Sequence, residues 1–164
     1  MINFPFPYET PEMKQQFSIL TRTLVEALQS KSKTDFSRTL KAYLTTRQNL
    51  KQMLSADDYK YMSFQLWKEG TARYTEYKVA TEASKRFKPS KEFRALKDFK
   101  AFEVVAADVM NGIIKELTTL KIEEYKRVAF YPIGAAEALM LDRVNPKWQQ
   151  RYFVEKFDLA KYFP

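Results

Sequence analysis

The 164-residue sequence has no histidine and no cysteine. Without imidazole or thiol, the chain cannot by itself build a Ser-His-Asp or Cys-His pair, a thiolate nucleophile or a disulfide. Its 3 glycines are too few for the loops that cradle phosphates, which need repeated close backbone approach. No apolar run approaches the roughly 18 residues needed to span a bilayer. The opening Met1-Ile2-Asn3-Phe4-Pro5-Phe6-Pro7-Tyr8 lacks the basic and apolar regions of a signal peptide. Sustained β-type alternation and repeats of solenoid period are also missing. A soluble globular chain with no membrane partner is expected, and its compartment stays open.

What is present begins with charge. The formal net charge of +8 raises the question of a polyanionic partner. Residues 1–54, 55–88 and 89–164 carry +4, +2 and +2, so the excess is spread out. One dense basic stretch is Lys31–Lys51, with six basic residues against Asp35. A solvated helix face is the plainer reading of it, and weak phosphate binding is the sharper one.

Apolar spacing of three and four residues recurs through most of the chain. After an extended Phe-Pro arm over residues 1–9, a single all-helical domain is expected over 10–164. Thr10-Pro11-Glu12 starts a first helix, which carries Met13, Phe17, Leu20 and Leu24 on one stripe. A second is expected from Asp35 to Leu54. Arg47 falls on its apolar stripe, either as a snorkelling stem or facing a buried carboxylate on a neighbouring helix. Ser55-Ala56-Asp57-Asp58 caps a third, which runs to Lys88-Pro89 and should form the spine of the domain. A fourth is expected from Ser90 to about Leu120, interrupted only by Asn111-Gly112, a fifth from Tyr131-Pro132 to Val144, and a sixth from Asn145-Pro146 to about Phe157. The fold class is therefore an all-α bundle of about six helices, two of them long.

On the third helix, a wheel of about 100° per residue places Arg73 and Glu76 on the same side as Glu69, among small residues. Carboxylates at such a close helix contact lose water and need a cation, a donor or a metal. An ion pair of Glu69 with Arg73 or with Arg47 is the structural reading. Trp67, Tyr74 and Tyr77 read as core and rim.

Trp67-Lys68-Glu69-Gly70-Thr71-Ala72-Arg73-Tyr74 resembles the W-x-E-G-x-A-x-Y helix of gluzincin-type zinc metallopeptidases. Tyr131-Pro132-Ile133-Gly134 resembles the Y-x-x-G helix start of the same family, 62 residues beyond Glu69. The likeness implies that Glu69 corresponds to a zinc ligand and Tyr131 to the catalytic hydroxyl that steadies the oxyanion. Arg73, Glu76, Trp67, Tyr74 and Arg47 are the supporting residues of that segment. The family's H-E-x-x-H helix has no counterpart here, so both histidine ligands and the catalytic glutamate are absent.

The resemblance thus implies the helical C-terminal portion of a gluzincin-like metallopeptidase, either separated from its upstream half or kept as a scaffold that has lost the chemistry, and in both cases inactive as this chain and binding zinc poorly alone. The partner it implies is an H-E-x-x-H region or domain, and Glu69 and Tyr131 should face one cleft open toward it. The alternative is a non-catalytic helical module that binds a protein partner through an apolar surface formed by Tyr152, Phe153, Phe157, Tyr162 and Phe163, a patch that should also drive self-association if exposed. Nucleic-acid binding through Lys31–Lys51 is the weakest reading.

Overall fold

The computed structural model describes residues 4–164. The chain is all-α: 77% of it is helical, in six helices of which two are long, and no strand occurs among the described residues. None of these helices is long and apolar enough to cross a membrane.

Helix starts follow side-chain caps. The Thr10 hydroxyl accepts the Met13 N–H and Pro11 occupies the first turn of α1 (Pro11–Gln29). Ser32 caps α2 (Lys33–Met53), and Ser55 caps α3 (Ala56–Gln65). A π-helical turn (Leu66–Gly70) joins α3 to α4 (Thr71–Arg86), giving a rod of 31 residues, about 46 Å long. Next come a single turn, α5 (Lys91–Arg94), and then α6 (Phe102–Thr119). α7 (Ile122–Tyr125), a 3-10 turn (Lys126–Ala129) and α8 (Phe130–Val144) form the second long segment, of 23 residues.

The rod runs the length of the bundle, but the central helix is α8. It is buried on every side over residues 132–141, which are apolar but for Glu137, and α1, α4, α6 and the π turn pack around it. The start of the chain lies on this core as an extended arm. Phe4 stacks on Tyr61 at 4.4 Å, and Phe6 inserts among Phe17, Tyr61 and Phe130. Residues 1–3 of the expected arm lie outside the described residues.

Two elements differ from expectation. The fourth helix breaks over residues 95–101 and is continuous through Asn111-Gly112. Residues 91–99 project from the bundle and have no core to pack against. Phe93 and Phe99 meet each other instead, because the chain folds back there. Gly112 lies in a stretch anchored by Val109, Ile113 and Leu117, whose burial outweighs its poor helix propensity. The sixth helix shrinks to a 3-10 turn (Trp148–Arg151) followed by turns, then a second 3-10 turn (Leu159–Tyr162). Trp148, Leu159 and Tyr162 reach the core, while Phe153, Val154 and Phe157 stay exposed and supply no apolar face for a helix.

Candidate functional site

Gly70, the last residue of the π turn, meets Gly134 of α8. A Cβ on Gly134 would stand 2.7 Å from the Gly70 Cα and closer still to the Leu66 carbonyl oxygen. Only two glycines allow backbones to approach this closely. The crossing sets Glu69, one residue before Gly70, beside Tyr131, one turn before Gly134.

The Glu69 side chain is 13% exposed, and its Oε1 accepts from Arg127 Nη1 at 3.1 Å. Lys68 Nζ approaches the same oxygen at 3.7 Å from the solvent side. Glu69 is the main influence raising the Tyr131 pKa; burial adds to it, and Arg127 opposes it. Behind this group, the hydroxyls of Tyr8 and Tyr61 lie 3.1 Å apart. Burial first, then Tyr61, pushes the Tyr8 pKa well up. Arg127 also borders a cavity of about 650 Å³ walled by residues 4–10 of the arm and by Lys126.

Lys126 turns the chain into this site with φ of 48° and ψ of −128°, a conformation L-residues rarely hold. The strain sits directly beside the residue that grips Glu69.

The other residues singled out in the sequence lie elsewhere. The π turn adds a residue to the rod and so rotates everything after it relative to a regular helix. Arg73 accordingly bonds Glu76 at 2.8 Å and Glu116 of α6 at 3.2 Å rather than Glu69. Trp67 stacks on Tyr152 at 4.4 Å and 8°. Tyr74 donates to Asp142 at 2.8 Å and accepts from Gln149 at 2.8 Å, and Trp148 Nε1 and Lys78 bond the same carboxylate.

Arg47 proves to face a buried acid. Its Nε donates to Glu137 Oε1 at 2.9 Å, Tyr43 donates to the same oxygen, and Asp158 lies 3.6 Å from Arg47 Nη2. Burial raises the Glu137 pKa against the pull of Arg47 and Tyr43. This group ties α2 to α8 and to the C-terminal turn.

The sequence reading missed Arg127 and Glu137. Arg127 lies four residues before Tyr131, the spacing of neighbours on one helical face, and Glu137 is the only acid in the apolar run 128–141. Comparison with protein-family models, with curated proteins and with solved structures gives no match.

The donor set does not fit a resident zinc ion. The chain has no imidazole or thiolate, the described residues hold no group of three His, Cys, Asp or Glu side chains in reach of one ion, and a guanidinium already occupies Glu69.

Proposed function

We propose that this chain is the helical C-terminal portion of a gluzincin-like metallopeptidase, without hydrolytic activity of its own. The observation that supports the reading is the Gly70–Gly134 crossing, which unites the two segments carrying the resemblance and sets Glu69 against Tyr131. The crossing explains why each segment needs its glycine, and the packing of the core does not require a carboxylate and a phenol beside it. Arg127 neutralises Glu69 in place of a metal. The missing imidazoles, and a glutamate to activate water, would have to come from an H-E-x-x-H polypeptide packed on this side. Such a partner would also have to displace Arg127, a partly exposed side chain at 35%.

The test is made on the protein as its source cells produce it, by intact mass and by peptidase assay with zinc. A longer polypeptide, or a second chain with an H-E-x-x-H segment, whose zinc-dependent peptide hydrolysis is abolished by Glu69→Gln is the expected result. Hydrolysis that survives both Glu69→Gln and Tyr131→Phe, or stoichiometric zinc on the isolated chain, overturns the reading.

A second reading has one observation in its favour. Phe153 and Phe157 are 73% and 49% exposed beside the Trp67–Tyr152 stack, while Tyr162 is buried. A self-association surface there predicts a concentration-dependent elution volume in size exclusion that Phe153→Ser abolishes.

A further inference from the structure

A second basic cluster, besides Lys31–Lys51, stands at the end of α4 and around α5. Residues 85–100 hold seven basic side chains against Glu92 and Asp98, a net +5 that falls to +3 once Glu82 and Asp108, the partners of three of them, are counted. A division of the chain at residue 88 cuts this group in two. It forms the tip where the chain turns from α4 through α5 into α6, and no residue of α5 is buried. Lys85 and Arg86 share Glu82, and Lys100 pairs with Asp108. Lys88, Lys91, Arg94 and Lys97 have no ion pair among the described residues.

Between these cations stand apolar side chains that the bundle does not cover: Phe87 is 57% exposed, Phe93 43% and Leu96 51%. Phe87 and Phe93 meet Phe102 and Phe99 on one side and stay open to solvent on the other, beside cations that no acid of the bundle holds. We propose that the 85–100 tip is a docking surface for an anionic lipid bilayer, with Phe87, Phe93 and Leu96 entering the headgroup boundary and the four unpaired cations meeting lipid phosphates and carboxylates.

The chemistry of the tip favours lipid over nucleic acid. Bases stack on free aromatic faces, whereas here Phe93 packs against Phe99 at 78° and 5.6 Å and Phe87 against Phe102 at 70° and 5.7 Å. Residues 85–100 contain no Asn, Gln or Tyr to read base edges, and the Ser90 hydroxyl already caps the Phe93 N–H. Leu96 contributes an aliphatic surface, which suits acyl chains. Surface docking needs no spanning helix, so it is compatible with the absence of one among the described residues.

The experiment is co-sedimentation of the whole chain with vesicles containing about one-third phosphatidylserine, and with neutral vesicles, at about 0.1 M and about 0.5 M salt. Partition onto the anionic vesicles alone, lost at high salt, is expected. The triple variant Lys91→Ala, Arg94→Ala, Lys97→Ala should weaken it about a hundredfold, at about fivefold per charge. Leu96→Ser should weaken it several-fold with no change in charge. Lys41→Ala, on the exposed face of α2, should leave it unchanged. These side chains are exposed, so unchanged helical circular dichroism is the check on folding. The proposal is overturned if neither vesicle binds, if neutral vesicles bind equally well, or if the tip variants bind like the parent. It is also overturned if the tip retains the protein on single-stranded DNA or heparin without vesicle partition, which assigns the surface to a polyanion instead.

Discussion

Gly112→Ala and Gly134→Ala make the same chemical change in two helices and should move stability in opposite directions. Each gains up to about 1 kcal/mol of helix propensity. At Gly112, the nearest atom to a new Cβ is Arg73 Nη2 at 3.5 Å, an ordinary contact at the end of a flexible side chain. The gain there should survive, at about 0.5–1 kcal/mol. At Gly134, the new methyl would meet backbone: the Gly70 Cα at 2.7 Å and, nearer, the Leu66 carbonyl. Neither can rotate away, so α8 and the π turn must separate and the contacts around them loosen. Overpacking of this kind costs about 1–3 kcal/mol, and forced backbone separation belongs at the upper end. A net loss of about 2 kcal/mol follows, so the two variants should differ by about 3 kcal/mol. Urea unfolding followed by circular dichroism measures this as a shift in midpoint at constant m-value. In a thermal scan, Gly134→Ala should lose about 4–8 °C. The same variant should release Tyr131 from Glu69 and bring its titration back toward that of a free tyrosine. Equal stability of the two variants, or a stabilised Gly134→Ala, would refute the close crossing and with it the juxtaposition of Glu69 and Tyr131.

Arg47→Met should cost about 3–5 kcal/mol because it strands Glu137 in the core, and adding Glu137→Leu should recover most of that loss in a urea double-mutant cycle. Lys126→Gly should stabilise the protein by about 1 kcal/mol by relieving positive φ, read from the urea midpoint, with Lys126→Ala giving no such gain. Seven of the ten tyrosines, Tyr8, Tyr43, Tyr59, Tyr74, Tyr131, Tyr152 and Tyr162, have pKa values raised chiefly by burial or, for Tyr131, by Glu69. The folded state therefore holds phenol protons that the unfolded chain releases near pH 10, so this contribution is intact below about pH 10 and lost as pH rises above it. Absorbance at about 295 nm should show a delayed, steep ionisation that coincides with loss of helical dichroism, and independent ionisation of folded protein would contradict it.

The helices whose ends carry caps and whose stripes are buried were legible from the sequence: Thr10 and Ser55 mark two starts through local hydrogen bonds, while the Ser32 cap was passed over and the second helix starts at Lys33 rather than Asp35. The break at residues 95–101 was not. It depends on where the bundle ends in space, and the spacing of Phe93, Leu96 and Phe99 suits a helix that would have nothing to cover it. Glu69 and Tyr131 stood out by their neighbours, and each motif carries the glycine that the crossing uses. Arg127 escaped because its role depends on the strained turn at Lys126, a backbone conformation that no residue type at that position announces. The π turn escaped for a similar reason, and a regular wheel therefore grouped Arg73 and Glu76 with Glu69 when their partners lie on α6 and within α4.

The cationic tip also puts a cluster of unpaired charge at the α4 end of a rod about 46 Å long. In the field of a charged body such a molecule feels a torque as well as an attraction. A tip docked as proposed, inside a Debye length of about 8 Å at physiological salt, fixes which end of the rod meets the surface. The face bearing Glu69 and Tyr131, carried farther along the same rod, is then presented in a defined orientation.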